Sequence, residues 1–306
     1  MDIREGPPGQ GGFRFLATVD CDHVDKPLGG HSLKFACDVG REDIVKVKVG
    51  ESNGEVYGEV AATRLLWALG FGADRMYPVR VRCRGCPARF GGKPSGSNTT
   101  VFDPAVIERE MAGAQFDDDP GWSWAEIDAL DTRAGGASRR EIDALKLMAV
   151  FLQHTDNKPE QQRLLCIDEP QSKHPAQCRR PFLMLNDVGL TFGVANFLND
   201  NALGGANFQA WSDATVWKDA HGCVGNLSRS FTGTLGNPRI SEEGRKFLAG
   251  LLARLSDRQI QDVFEVSRFD LREPASASPA LARPGIDDWV RVFKQKRDEI
   301  AGRRCA

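Results

Sequence analysis

Apolar and polar positions alternate in four short runs early in the chain: FRFLATV at 13–19, SLKFACDV at 32–39, IVKVKVG at 44–50 and MYPVRVRC at 76–83. A period of two in segments rich in Val and Phe predicts strands of a small antiparallel sheet. TTVFD at 99–103 supplies a fifth strand. One segment among them has helical spacing instead, EVYGEVAATRLLWALG at 55–70, introduced by Asn53-Gly54 and stopped by Gly70 and Gly72. Past residue 104 the period changes. Ile142, Leu145, Met148, Ala149 and Leu152 recur at helical spacing and predict a buried helix over 140–153 that runs straight into HTDNKPEQQ. Strand-like runs follow at 163–167 and 181–186. Ser241 then opens an apolar-striped helix through Leu255, Ser256 with Gln259 forms a capping-box pattern before another, and Asp288 to Ile300 make a third.

This pattern predicts an α+β protein. A flexible tail (1–12) precedes a β-rich N-terminal lobe with one helix (13–103) and a larger, mainly helical C-terminal lobe (104–306). GGKPSGSN at 91–98 reads as a loop and ASASPALARPG at 275–285 as a low-complexity connector.

Composition narrows the function classes. With 41% hydrophobic and 27% charged residues the chain lies far from the disordered regime. Forty basic against forty-two acidic side chains provide no global field for nucleic acid, so no nucleic-acid partner is expected. No apolar run approaches the ~18 to 20 residues of a transmembrane segment. The opening MDIREGPPGQGG has acidic residues and no apolar core, which is unlike an export signal and makes the cytoplasm the default expectation. Eight cysteines stand against that default, because an even, fairly rich count suits disulfides in an exported form. Cys83-Arg84-Gly85-Cys86 has the spacing of half a zinc site, but no second pair at ligand spacing follows, and the reading adopted is a turn with a local disulfide. Trp122 and Trp124 are read as core residues rather than a substrate platform. Gly29-Gly30 is read as a turn, since the wider phosphate-loop pattern is missing.

The chemistry-bearing segment is His154-Thr155-Asp156-Asn157-Lys158-Pro159-Glu160-Gln161, placed between a buried helix and a strand. It resembles the catalytic loop of protein kinases, H-R-D-L-x-x-x-N. His154, Asp156 and Lys158-Pro159-Glu160 match; Thr155 replaces the Arg, and Gln161 stands where the metal-binding Asn belongs. Asp187-Val188-Gly189, after the strand-like run at 181–186, resembles Asp-Phe-Gly. The polar CIDEPQSKHPAQCRR between the two motifs reads as an insertion, with Cys166 and Cys178 at its bases where an exported form could be stapled. Upstream, IVKVKVG followed by a helix with a carboxylate ahead of RLLWALGF resembles, loosely, the serine kinases of bacterial toxin systems.

The chain is thus similar, over about 30–195, to an atypical bacterial member of the protein-kinase-like superfamily. The resemblance implies a two-lobed fold that binds ATP with Mg²⁺ or Mn²⁺ and passes the terminal phosphoryl group to a hydroxyl on a protein, lipid or small molecule. It implies that Lys46, or Lys48 close behind it, holds the nucleotide phosphates and that Glu59 orients that lysine. Asp156 would position the acceptor, Lys158 would neutralise charge, Asp187 would ligate metal, and Gln161 would be a weaker second ligand. Two alternatives stay open on the same fold: a pseudokinase acting as a nucleotide-binding or scaffold module, motivated by Thr155, Gln161 and the absent Gly-rich loop, and a protein AMP-transferase.

Overall fold

The computed structural model describes residues 1–30, 32–86, 98–116, 121–168, 178–193, 205–272 and 283–305. The loop at 91–98, the insertion between Cys166 and Cys178 and the connector at 275–285 lie largely outside these residues.

Five strands, β1 (Thr18–Val24), β2 (Lys34–Asp38), β3 (Ile44–Val49), β5 (Arg75–Arg84) and β6 (Thr99–Arg109), close into a barrel in the order β1-β2-β3-β6-β5. The small antiparallel sheet expected from the alternation is therefore corrected: β1 runs parallel to β5 and seals the barrel. Two features account for this. Strand β1 begins at Thr18 rather than Phe13, because Leu16 turns the chain at φ +55°, and the bonds from Leu16 N to Pro78 O and from Arg80 N to Ala17 O set it alongside β5. Along the seam, Asp20 faces Arg82 and Asp22 faces Arg84 in register, so opposite charges pair outside while Val19, Cys21, Val79, Val81 and Cys83 fill the interior.

Helix α1 (Glu55–Leu69) follows β3 and ends at Gly70, whose φ of +86° forms a left-handed cap. Its buried face does not join the barrel interior. Val56, Val60, Leu65 and Leu66 belong to a second, larger core with α3 (Arg139–Leu152), α5 (Glu242–Leu252), α6 (Asp257–Val266) and α7 (Ile286–Gly302), to which the short helices α2 (Trp124–Asp128) and α4 (Phe208–Asp213) add Trp124 and Trp211. A four-stranded sheet, β4 (Gly72–Ala73), β9 (Pro181–Leu185), β8 (Gln162–Cys166) and β7 (Ala114–Gln115), also joins the two halves, since β4 pairs with β9. Strand β6 runs unbroken across 103/104 to Arg109.

The first residues do not form a loose tail. Ile3 is 2% exposed, Arg64 donates to its carbonyl, the Tyr77 hydroxyl donates to Pro7 O, and Arg4 pairs with Asp262 and Glu265. All eight cysteines are paired: Cys21–Cys37, Cys83–Cys86, Cys166–Cys178 and Cys223–Cys305. No described helix is long and apolar enough to cross a membrane.

Candidate functional site

Alternation along β3 sends Val45, Val47 and Val49 into the barrel and Lys46 and Lys48 to the opposite face. The two lysines then meet different partners. Lys48 lies beneath α1 at 1% exposure, with Nζ 2.5 Å from Glu59 Oε1, 3.0 Å from Glu55 Oε2, 3.7 Å from Glu108 Oε2 and 3.9 Å from Asp187 Oδ1. Lys46 is about a third exposed and paired with Glu108, its register partner on β6. The structure thus puts Lys48, not the favoured Lys46, at the carboxylate cluster. Glu59 and Asp187 join it there.

Burial alone would push the Lys48 ammonium down, but Glu59, Asp187, Glu55 and Glu108 reverse that and hold it well above its ordinary value. Burial raises Glu59, against the pull of Lys48 and with help from the other carboxylates. Burial also works upward on Asp187, yet Lys48, the adjoining Glu59 side chain, and the more distant Lys46 and Lys34 hold it well below the usual carboxylate range. Lys34 stands beside Lys48 in register on β2; burial and the Lys48 charge lower it. Four carboxylates therefore face three ammonium groups. Oxygens of Glu55, Glu59 and Asp187 lie within 4.8 Å of one another, and Glu59 Oε2 is buried without a hydrogen-bond partner. Clustered hard oxygen donors suit a divalent cation such as Mg²⁺ or Mn²⁺.

Asp187 follows β9 with φ +48°, a left-handed residue at the tip of its turn. Gly189 lies so close to α1 that a Cβ there would come 2.5 Å from Glu55 Cγ, which is why Asp187 can approach Lys48. The loop after α3 sits alongside: Asn186 N donates to Gln161 O at 2.8 Å and Thr155 N to Leu190 O at 3.4 Å. Asn157 anchors this loop from within, accepting from Leu235 N at 2.6 Å and donating to His154 O and Leu235 O. His154 is fully buried below, and burial lowers it to about 4 against the opposing pull of Asp156 and Asp187. Asp156 keeps a partly open side chain. Lys158 Nζ and Gln161 Nε2 each lie 3.5 Å from its Oδ2, and the Ser230 and Thr232 hydroxyls lie 3.3 and 3.5 Å from its Oδ1.

Gln161, expected as a second metal ligand beside Asp187, thus turns its amide to Asp156. Its extra methylene, compared with Asn, lets it reach back along the loop. The third carboxylate of the cluster is Glu55, which sequence reasoning missed although it stands one helical turn before Glu59 on the same face. Glu108 and Lys34 were missed as well, because their place depends on strand register. Trp124 is core at 1% exposure, and Trp122 packs against that core, its backbone N–H donating to Gln162 O. The adjoining Gly121 packs on Pro159, so this segment buttresses the Asp156 loop.

No protein-family model matches the chain, and no curated protein matches it. Among solved structures, it is similar to a Helicobacter pylori proinflammatory kinase, CtkA, at 10% identity and a TM-score of 0.47, covering 94% of this chain and 94% of that one.

Proposed function

We propose that the protein is an atypical kinase on a two-lobed, kinase-like plan, using ATP and a divalent cation to phosphorylate a hydroxyl acceptor. The supporting observation is the convergence of Lys48, Glu59 and Asp187 next to a loop that presents Asp156 and Lys158. ATP with Mg²⁺ or Mn²⁺ would bring the electrophilic phosphoryl group and the charge that offsets its departure. Asp187 and Glu55 have the accessible oxygens to hold the cation, while Glu59 keeps Lys48 aimed at the phosphates. Asp156 would orient the acceptor hydroxyl and accept its proton. Lys158, beside it, would stabilise charge on the moving group.

The test is product formation from ATP with Mg²⁺ or Mn²⁺, with autophosphorylation read by mass spectrometry, in wild type, Asp187→Asn and Asp156→Asn. Each substitution is expected to lower turnover by about 10²-fold or more while leaving the thermal transition in place. Equal turnover in wild type and Asp187→Asn would remove the assignment. An adenylyl rather than a phosphoryl adduct would redirect it to AMP transfer.

One observation favours a second reading, nucleotide binding without turnover: the Gln161 amide is engaged by Asp156. A nucleotide-induced thermal shift with no product in any metal would support that reading.

A further inference from the structure

Three of the eight cysteines meet inside the barrel, away from the carboxylate cluster, and a fourth, Cys86, is bonded to one of them in the same core. Inward-facing positions of β1, β2 and β5 place Cys21, Cys37 and Cys83 there, with Cys21 opposite Cys83 in the parallel register. Gly85, at φ +79°, turns the chain so that Cys86 returns to the same core. Exposures are 6% for Cys21 and 0% for Cys37, Cys83 and Cys86. The sulfurs are joined as Cys21–Cys37 and Cys83–Cys86, and the two bridges touch: Cys37 Sγ lies 3.7 Å from Cys83 Sγ, and the sulfurs of Cys21, Cys37 and Cys83 all lie within 4.8 Å of one another.

We propose that the reduced chain binds one zinc ion through Cys21, Cys37, Cys83 and Cys86, so that the barrel end is closed by two disulfides when oxidised and by a tetrathiolate zinc centre when reduced. Zinc–sulfur bonds of about 2.3 Å at the tetrahedral angle set sulfurs about 3.8 Å apart, which matches the contact already present between the bridges. Opening the Cys21–Cys37 bridge to that separation moves each of its sulfurs by about 1 Å, and Cys86, released from Cys83 on the Gly85 turn, swings in as the fourth ligand. The Cys83-x-x-Cys86 spacing is that of a zinc knuckle, and the two ligands missing from the linear sequence come from β1 and β2 through the fold.

The chemistry balances with a thiol or phosphine reductant. Each bridge takes two electrons and two protons, the reductant is oxidised, and four thiols result. One Zn²⁺ then displaces the four thiol protons without further electron transfer. The site lies inside the barrel, whereas Lys48 lies on its outer face, so the proposal does not depend on phosphoryl transfer.

The test is metal analysis of the full chain purified with a phosphine reductant and zinc, then freed of loose metal, together with the visible spectrum after cobalt substitution. About one equivalent of zinc and the spectrum of tetrahedral thiolate-bound cobalt are expected. The oxidised chain should hold neither. Cys83→Ser with Cys86→Ser should abolish binding, and Cys166→Ser with Cys178→Ser should leave it unchanged. Should the first variant fail to fold, the cobalt spectrum of the wild-type chain still decides. Less than about a tenth of an equivalent in the reduced chain, an octahedral cobalt spectrum, or zinc retained by a folded Cys83/Cys86 variant would overturn the proposal.

Discussion

Lys46 and Lys48 are two positions apart on one strand face, and nothing in the alternation distinguishes them. What separates them is which one α1 covers, a fact of tertiary packing. Lys48→Met should therefore lower phosphoryl transfer by about 10²-fold or more, since the cation that would meet the phosphates is lost. Its stability cost should be about 1–3 kcal/mol, below that of a broken buried pair, because burial raises Glu59 and lets it take up a proton once the lysine is gone. Lys46→Met should cost about 1 kcal/mol or less and retain most activity. Parallel turnover assays and urea titrations check both; equal loss in the two variants would refute the distinction. A pH effect belongs to this scale too. Asp74 is 3% exposed, its Oδ1 accepts from Met111 N, its Oδ2 has no partner, and burial together with Glu108 raises it to about 7. A folded-state value above the unfolded one contributes stability at low pH that is lost as pH rises. Asp74→Asn should thus stabilise the fold increasingly from about pH 4 to pH 7, reaching about 2–4 kcal/mol at pH 8, measured by denaturation at several pH values. A pH-independent difference would show that the carboxyl ionises freely in the fold.

The helices and strands were largely legible in the sequence. The predicted helix over 55–70 is Glu55–Leu69, and that over 140–153 is Arg139–Leu152. The capping box at Ser256 and Gln259 is present. These succeed because helix periodicity and caps are local. The neighbours of each element were not legible: Glu55 reaches Lys48 only because the N-terminus of α1 lies against the Asp187 turn with almost no intervening side chain. Gly54 and Gly189 make that contact possible, each in a different way. A Cβ at Gly54 would lie 2.1 Å from the backbone oxygen of Gly205, which has nowhere to go. A Cβ at Gly189 would press on the side chain of Glu55, which can shift but carries the carboxylate paired with Lys48. Gly54→Ala should accordingly cost about 1–3 kcal/mol of stability. Gly189→Ala should cost less stability yet lower turnover by about 10²-fold, through displacement of the carboxylate next to the cation site. Denaturation and initial-rate measurements on both variants separate the two; a Gly189→Ala protein with full activity would show that Glu55 plays no part.

At the scale of the molecule, the α+β class could be read from the switch between periods of two and 3.6, but closure of the barrel could not. Alternation fixes which face of a strand is buried and says nothing about which strand lies beside it. The parallel β1–β5 pairing joins residues about sixty positions apart and left no local trace. The docked N-terminal residues were misread for a related reason: a polar, Gly- and Pro-rich opening looks unstructured until Arg64 and Tyr77 are found holding its carbonyls. Cysteine pairing is equally non-local. The Cys223–Cys305 bridge ties the end of α7 to the loop beside the Val224–Arg239 bridge, and α7 brings Trp289 and Phe293 to the aromatic core around Phe264. It closes a separation of 82 residues, against three for Cys83–Cys86. Loop-closure entropy then makes it worth about 4 kcal/mol, and the short bridge under half of that. Cys305→Ser should lower the unfolding free energy of the oxidised chain by about 3–4 kcal/mol and leave that of the fully reduced chain unchanged, because reduction removes the same constraint from both. Urea titrations of the wild type and the variant, with and without reductant, give all four values. Equal stabilities in the oxidised pair would mean that α7 holds its place by packing alone.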